Sequence, residues 1–233
     1  MYGDVHPHPG PRHDTPKAVN TSQHGTSLPS VACSNTYSSL SVVNANARSI
    51  VNKRSLLNLE LATNLYDIII LTKTHLDNII AEREIFPRGY TVFGRDRELQ
   101  GRHGGGILIA TQDSIKAFPR SDLPTISSEL HFVDIVLPKR KKVTLGVFYR
   151  PPNNDLKLLE DLKLVLNEIL QSDLILVGDF NLCSIDWSNV RALENSAKCK
   201  LLLDIVQDNF LTQLSPTHEN NTWILCLLLH QTL

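Results

Sequence analysis

An aspartate and an asparagine stand two residues apart at the end of an apolar run, in the segment LVGDFN (residues 176–181). Gly178 allows a close approach of the backbone, and the period of two in an extended strand predicts that Asp179 and Asn181 point the same way. A carboxylate beside a carboxamide can hold a divalent cation together with a phosphate oxygen or a water molecule. The alternative is structural, with an aspartate that ends a strand and an asparagine in a turn.

Two further predicted strand ends carry polar side chains suited to the same chemistry. Tyr149 lies near the end of GVFYRPP, where its phenol could donate to a developing oxyanion or simply pack as an amphipathic side chain. Asn46 closes the first predicted strand and precedes Arg48, a candidate phosphate contact, although Asn46 could also form only an Asx turn. Gly104–Gly106 precede a strand and not a helix, so they predict a tight turn or bulge and not a Walker-type phosphate loop.

Helices and strands alternate along the chain in a way that can position these residues. Leucines recur at every fourth position in Leu57, Leu61 and Leu65, which predicts an amphipathic helix. Residues 155–171 and 196–211 show a comparable pattern. The predicted strands are LSVVN, DIIILTKT, GGGILIAT, LHFVDIVL, KKVTLGVFYR, DLILVGDF and LTQL, with PKRKK as a hairpin turn and PTHENNT as a polar loop. This mixture predicts an α+β fold in which helices cover sheets.

Composition limits the class of protein. The chain has 233 residues, 42% hydrophobic and 20% charged, which suits one globular domain. Residues 1–38 are poor in aliphatic residues and are predicted to be a disordered tail, with residues 39–233 as the folded domain. The net charge of −1 excludes a global basic field, so nucleic-acid binding would require a local patch.

Localisation is predicted from the cysteines and from the apolar segments. The four cysteines show no C-x-x-C spacing and are predicted to be free thiols in a reducing compartment. The N-terminal segment lacks a secretory signal pattern, and the longest apolar run is too short to span a bilayer. We therefore expect an intracellular protein, nuclear or cytoplasmic, with no membrane partner.

Seven segments in order resemble one known family. These are NARSIVNKRSLL, DIIILTKTHL, IFPRGYTVFGRDR, GGGILIA, GVFYRPP, LVGDFNL with the following IDW, and PTHENNT. Over about residues 41 to 226 the chain resembles the endonuclease domain of non-LTR retrotransposons of the jockey-like and chicken-repeat-like types, within the endonuclease/exonuclease/phosphatase superfamily. The resemblance implies a four-layer α/β sandwich of two mixed sheets flanked by helices. It also implies Mg²⁺-dependent phosphodiester cleavage in DNA, as target-site nicking, with no small-molecule cofactor.

The resemblance also implies residue roles. Asp179 matches the acid that orients or deprotonates the attacking water, and Asn181 matches the amide that binds the phosphate or the transition state. Tyr149 matches the phenol near the scissile phosphate, and Asn46 the amide that helps to hold metal or phosphate. The implied metal-binding residues are Asn46 and Asp179. The implied substrate-binding residues are Asn46, Arg48 and Arg150.

The chain departs from the family pattern at three places. Lys73 in TKTHL stands where relatives carry a metal-binding glutamate, and Ile224 stands where they carry an acid. The family's later Ser-Asp-His, which supplies the general acid/base histidine, has no counterpart before Leu233. We therefore expect the C-terminal strands of the sheet to be incomplete.

These departures predict a degenerate, C-terminally truncated endonuclease with weak or no activity. Two unit charges about 4 Å apart interact by roughly 4 kcal/mol at an effective dielectric constant near 20, so a lysine for glutamate exchange opposes cation binding by several kcal/mol. The main alternative is a catalytically dead nucleic-acid-binding remnant, in which Arg48, Lys73, Arg150 and KRKK form a basic surface. KRKK can also be a solvated turn that keeps a sheet edge soluble. A lipid or nucleotide phosphatase of the same superfamily is a third alternative.

Overall fold

The computed structural model describes residues 39–229, apart from 64–65, 77–84, 96–104, 153–155, 170–172, 183 and 220–221. For residues 215–219 and 222–229 the description is limited to the backbone. The predicted N-terminal tail lies outside the described residues, and the proposed domain limits stay a prediction.

Twelve strands and three α-helices are formed in the described part of the chain. The strands are β1 (Val42–Asn46), β2 (Ile68–Thr72), β3 (Tyr90–Arg95), β4 (Ile107–Gln112), β5 (Lys116–Pro119), β6 (Leu130–Val136), β7 (Lys142–Tyr149), β8 (Asp173–Asp179), β9 (Ile185–Asp186), β10 (Arg191–Ala192), β11 (Thr212–Glu219) and β12 (Thr222–Leu229). The helices are α1 (Arg54–Thr63), α2 (Lys157–Glu168) and α3 (Ala197–Asp208). None of these helices has the length and apolar character needed to cross a membrane.

The strands form two mixed sheets and one small hairpin. The first sheet has the order β1-β2-β4-β3, and the second has the order β11-β12-β8-β7-β6-β5, while β9 pairs only with β10. Each large sheet contains one parallel pair, β1 with β2 and β7 with β8, and all other pairings are antiparallel. The predicted pair of mixed sheets is therefore confirmed.

Three apolar clusters define four layers. The facing surfaces of the two sheets pack against each other through apolar residues such as Ile70, Ile109 and Val147, each of which is 0% exposed. Helix α1 covers the other face of the first sheet, with Leu61 buried against Ile69. Helices α2 and α3 cover the other face of the second sheet. The predicted sandwich of sheets flanked by helices is confirmed.

The leucine periodicity accounts for the helices, which are shorter than predicted. In α2 the stripe of Leu159, Leu162 and Leu166 is buried against the second sheet. In α1 Leu57 and Leu61 face the first sheet, whereas Leu56 and Leu59 are 67% and 62% exposed. A helix of ten residues can present only one such stripe to a sheet, so the extra leucines stay in solvent.

The prediction of a polar loop at PTHENNT is wrong. Pro216–Glu219 belong to β11 and Thr222 begins β12, so the described residues of the segment lie in two antiparallel paired strands. The apolar run WILCLLL explains the difference, because β12 lies inside the sheet and pairs with both β8 and β11. Proline is tolerated in β11 because this strand lies at the edge of the sheet.

Gly178 brings β7 and β8 unusually close together next to the candidate site. A Cβ atom at this position would lie 1.8 Å from the carbonyl oxygen of Phe148, its partner in the parallel ladder. No side chain can be accommodated there without movement of the β7 backbone. The glycine therefore sets the position of the following residue, Asp179.

We expect Gly178→Ala to lower the free energy of unfolding by about 3 kcal/mol or more, because the new methyl group forces the two backbones apart. Urea unfolding followed by circular dichroism measures this change. Gly94→Ala is the matched control, since the nearest non-neighbouring atom to its Cβ would be 3.6 Å away, and it should change stability by less than about 1 kcal/mol. Equal effects of both substitutions would contradict this account.

Candidate active site

The carboxyl ends of the two parallel pairs meet at one edge of the sandwich. In the first sheet Asn46 is the register partner of Thr72, and in the second Tyr149 is the partner of Asp179. The amide Nδ2 of Asn46 donates a hydrogen bond of 2.8 Å to Oδ2 of Asp179 across the two sheets. The residues predicted from three separate strand ends thus form one site, although 133 residues separate the hydrogen-bonded pair.

Asp179 is fully buried, with 0% of its surface exposed. Its Oδ2 atom accepts from Asn46 and also lies 3.0 Å from the ammonium Nζ of Lys73. Its Oδ1 atom accepts no hydrogen bond from any residue that the structure describes. A buried carboxylate is costly unless it is paired, so Lys73 is the main compensation for the charge of Asp179.

Lys73 lies between the carboxylate and the phenol ring. Its side chain is 19% exposed, and its Nζ atom is 5.2 Å from the centroid of the Tyr149 ring, within range of a cation–π interaction. Backbone hydrogen bonds fix the loop around it: Ser49 N donates to Lys73 O at 2.8 Å and His75 N donates to Gly105 O at 2.9 Å. Gly105 therefore helps to hold the loop that carries the lysine, while Gly104 of the predicted glycine turn lies outside the described residues.

Asn181 does not point with Asp179 as the strand period predicted. Strand β8 ends at Asp179, and Asn181 has a φ angle of 49°, in the left-handed region. Its Nδ2 atom donates to the carbonyl oxygen of Arg150 at 2.6 Å. The alternation of side chains holds only in extended backbone, so the prediction of a shared direction is wrong.

Arg150 does not have the exposed position expected of a phosphate contact. It is 1% exposed, and its Nη1 atom lies 3.3 Å from the carbonyl oxygen of Asn181. Its backbone N–H donates to Asp179 O at 2.9 Å. Arg150 and Asn181 thus bind each other reciprocally and fix the turn after β8, and their predicted contacts with substrate stay a prediction.

Arg48 is exposed at the same edge, as the predicted phosphate contact requires. Its backbone N–H lies 3.3 Å from Oδ1 of Asn46, the arrangement of an Asx turn. The Asx turn considered for Asn46 is therefore formed through its oxygen, while its nitrogen binds Asp179, and its contact with metal or phosphate stays a prediction.

Backbone strain is concentrated at this edge. Five residues that are not glycine have positive φ angles there, and they are Arg48 (46°), Ser49 (76°), Lys73 (54°), His75 (52°) and Asn181 (49°). Each such conformation costs of order 1 kcal/mol or more and persists where the surroundings enforce it, as at functional sites. Residue type and strand periodicity gave no signal of these conformations.

The residues present do not fit a Mg²⁺ ion. Mg²⁺ requires near-octahedral oxygen ligands at about 2.0–2.1 Å. Here Oδ2 of Asp179 is bound to an ammonium, and the oxygen of Asn46 is turned to a backbone N–H. Among the described residues no three His, Cys, Asp or Glu side chains lie close enough to hold a metal ion. The register also places Ile224, in the position expected to carry an acid, directly beside Asp179.

Comparison with known proteins agrees with this architecture. A family model described as endonuclease-reverse transcriptase matches residues 143–225. No curated protein matches the chain in sequence. The fold is similar to that of an AP endonuclease from Archaeoglobus fulgidus, with a TM-score of 0.56 and 15% identity over 81% of this chain and 86% of that one.

Two further solved structures share the fold. The Xenopus laevis APE2 catalytic domain has a TM-score of 0.56 and 15% identity, covering 81% of this chain and 82% of that one. The Neisseria 3′ phosphatase NExo bound to a product DNA hairpin has a TM-score of 0.54 and 14% identity, covering 81% and 86%. These solved structures show the fold, and together with the endonuclease-reverse transcriptase model over residues 143–225 they confirm the resemblance found in the sequence as a likeness to such proteins.

Removal of Lys73 should destabilise the protein more than neutralisation of Asp179. We expect Lys73→Met to lower the free energy of unfolding by about 3–5 kcal/mol, because it leaves a buried carboxylate without its ammonium. Asp179→Asn should cost less, since the amide oxygen can still accept from Lys73 and Asn46. Chemical unfolding of both variants and of the double variant gives the coupling energy, expected at about 0.5–3 kcal/mol. Strictly additive effects would show that the two side chains do not interact.

Proposed function

We propose that this chain is a retrotransposon-derived endonuclease domain, whose ancestral chemistry is Mg²⁺-dependent hydrolysis of a phosphodiester in DNA, and which in its present form nicks DNA weakly or not at all. The family match to endonuclease-reverse transcriptase and the convergence of Asn46, Tyr149 and Asp179 support the ancestry. The contact of 3.0 Å between Lys73 Nζ and Asp179 Oδ2 is the observation that supports weak or absent activity.

The ion pair opposes both functions that the resemblance implies for Asp179. The Oδ2 atom of Asp179 already binds an ammonium and an amide, so it is not available to an attacking water. The positive charge also repels a divalent cation by several kcal/mol at distances near 4 Å. The chemistry left to the site is the binding of anionic groups through Lys73 and the exposed Arg48.

A broad DNA-binding surface, the alternative function, receives little support from the geometry. The KRKK turn contains a 3-10 segment at Pro138–Arg140 and lies at the start of β7, whereas the site lies at its end. Eight residues of strand span roughly 25 Å. Lys141 and Lys142 are paired with Asp173 and Asp134 at 2.7 and 2.9 Å. With Arg150 buried, the predicted basic residues do not form one continuous surface.

The effect of Lys73 on cation binding can be tested by measuring whether Mg²⁺ changes the melting temperature. We expect millimolar Mg²⁺ to leave the melting temperature of the unaltered chain unchanged and to raise that of Lys73→Glu, because a second carboxylate beside Asp179 creates a cation site. Lys73→Gln separates removal of the positive charge from addition of the acid. Lys116→Glu, an equal charge change on β5, is the control and should show no response to Mg²⁺.

Plasmid nicking tests the ancestral chemistry itself. The unaltered chain should give little or no nicking with Mg²⁺, since the ammonium of Lys73 opposes cation binding at Asp179. Nicking should be stronger in Lys73→Glu and disappear again when Asp179→Ala is added. Robust nicking by the unaltered chain that is lost in Asp179→Ala would overturn the proposal.

A further inference from the structure

The candidate site combines a cation and an unsatisfied hydrogen-bond acceptor. The ammonium of Lys73 binds Oδ2 of Asp179. An ammonium has three N–H donors, so two of them remain for a ligand. Oδ1 of the same carboxylate is buried and accepts no hydrogen bond from the described residues. An unsatisfied buried acceptor is costly, and a ligand that donates to it recovers that free energy.

The two features select for a ligand that is both an anion and a hydrogen-bond donor. A phosphodiester carries negative charge but has no O–H group, so it can satisfy Lys73 and not Asp179. A phosphate monoester with one remaining proton has both an O–H group and anionic oxygens. Its second pKa is about 6, so this form predominates below that pH.

We propose that the unaltered site binds a singly protonated phosphate monoester without a metal ion, with Lys73 donating to its anionic oxygens and its O–H group donating to Oδ1 of Asp179. This inference rests on the proposed function, because it uses the same site after loss of its cation chemistry. No bond is formed or broken, so the site acts as a receptor for a monoester phosphate.

The charged and titratable groups around the ligand are few among the described residues. Lys73 and Tyr149 face Asp179, and the side chains of Arg48 and His75 are exposed on the loops beside them. A comparison of ligands at one pH keeps the charge of these groups the same for both ligands.

Methyl phosphate and dimethyl phosphate provide a matched pair of probes. At about pH 5 both carry one negative charge, and they differ in the single O–H group. In the presence of EDTA, ligand-observed NMR titration of the unaltered chain should show methyl phosphate binding at least about tenfold more tightly than dimethyl phosphate. Equal binding of the two esters, or binding of neither, would overturn the inference.

Two variants assign the contacts. Lys73→Met should abolish binding of methyl phosphate, whereas Lys116→Met, a lysine removed from β5, should not affect it. Asp179→Asn should remove the preference for the monoester, because a carboxamide can donate as well as accept. A preference that survives in Asp179→Asn would show that Oδ1 is not the acceptor. The comparison of the two esters uses only the unaltered chain, so its result stands even if a variant does not fold.

The source of the monoester can be a strand end or a free nucleotide. A short DNA strand with a terminal phosphate and a nucleoside monophosphate, titrated under the same conditions, distinguish these sources. Tighter binding of the strand assigns a nucleic-acid end, and equal binding assigns the phosphate group alone. The inference and the proposed function can fail separately, since this test uses the unaltered chain with EDTA and the nicking test uses Lys73→Glu with Mg²⁺.

Discussion

The structure around the candidate site depends on the burial of one carboxylate. Asp179 lies in the interior of the second sheet, between β7 and β12, where no water-exposed surface remains to it. Its two partners, Asn46 and Lys73, both come from the first sheet. At this edge the apolar contacts between the sheets give way to a polar contact that joins them. A buried charge needs such partners, so the position of each strand end is constrained by the others.

The same contact explains why stability and cation chemistry oppose each other here. The family resemblance implies an acid at position 73, and two neighbouring carboxylates repel each other unless a cation lies between them. Lys73 removes that requirement by supplying one positive charge from the chain itself. The carboxylate is satisfied on Oδ2, but Oδ2 is then unavailable to a metal ion. The fold is like that of the solved nuclease and phosphatase structures, while Asp179 is paired with an ammonium from the chain itself.

Local patterns in the sequence predicted most of the elements. The leucine stripe of α2 and the continuous apolar run of β2 are properties of neighbouring residues, and both elements formed as expected. Strands β3, β5 and β12 were missed, and PTHENNT was assigned to a loop, because short or polar strands are stabilised by partners distant in sequence. The burial of Arg150 was not predicted, for a related reason. Whether a side chain after a strand faces solvent depends on the turn, and here Asn181 turns back onto it.

By itself the sequence determined which residues end the strands and that the fold mixes sheets with covering helices, since both follow from residue type and spacing along the chain. The expectation of an acid at the position of Lys73 came from the family resemblance. Only the tertiary structure decided that Asn46, Lys73, Tyr149 and Asp179 meet, and that Lys73 binds the carboxylate directly. Stacking of the two sheets brings together residues more than a hundred positions apart. That arrangement is set by packing and by the need to pair a buried charge, neither of which can be read from a short segment.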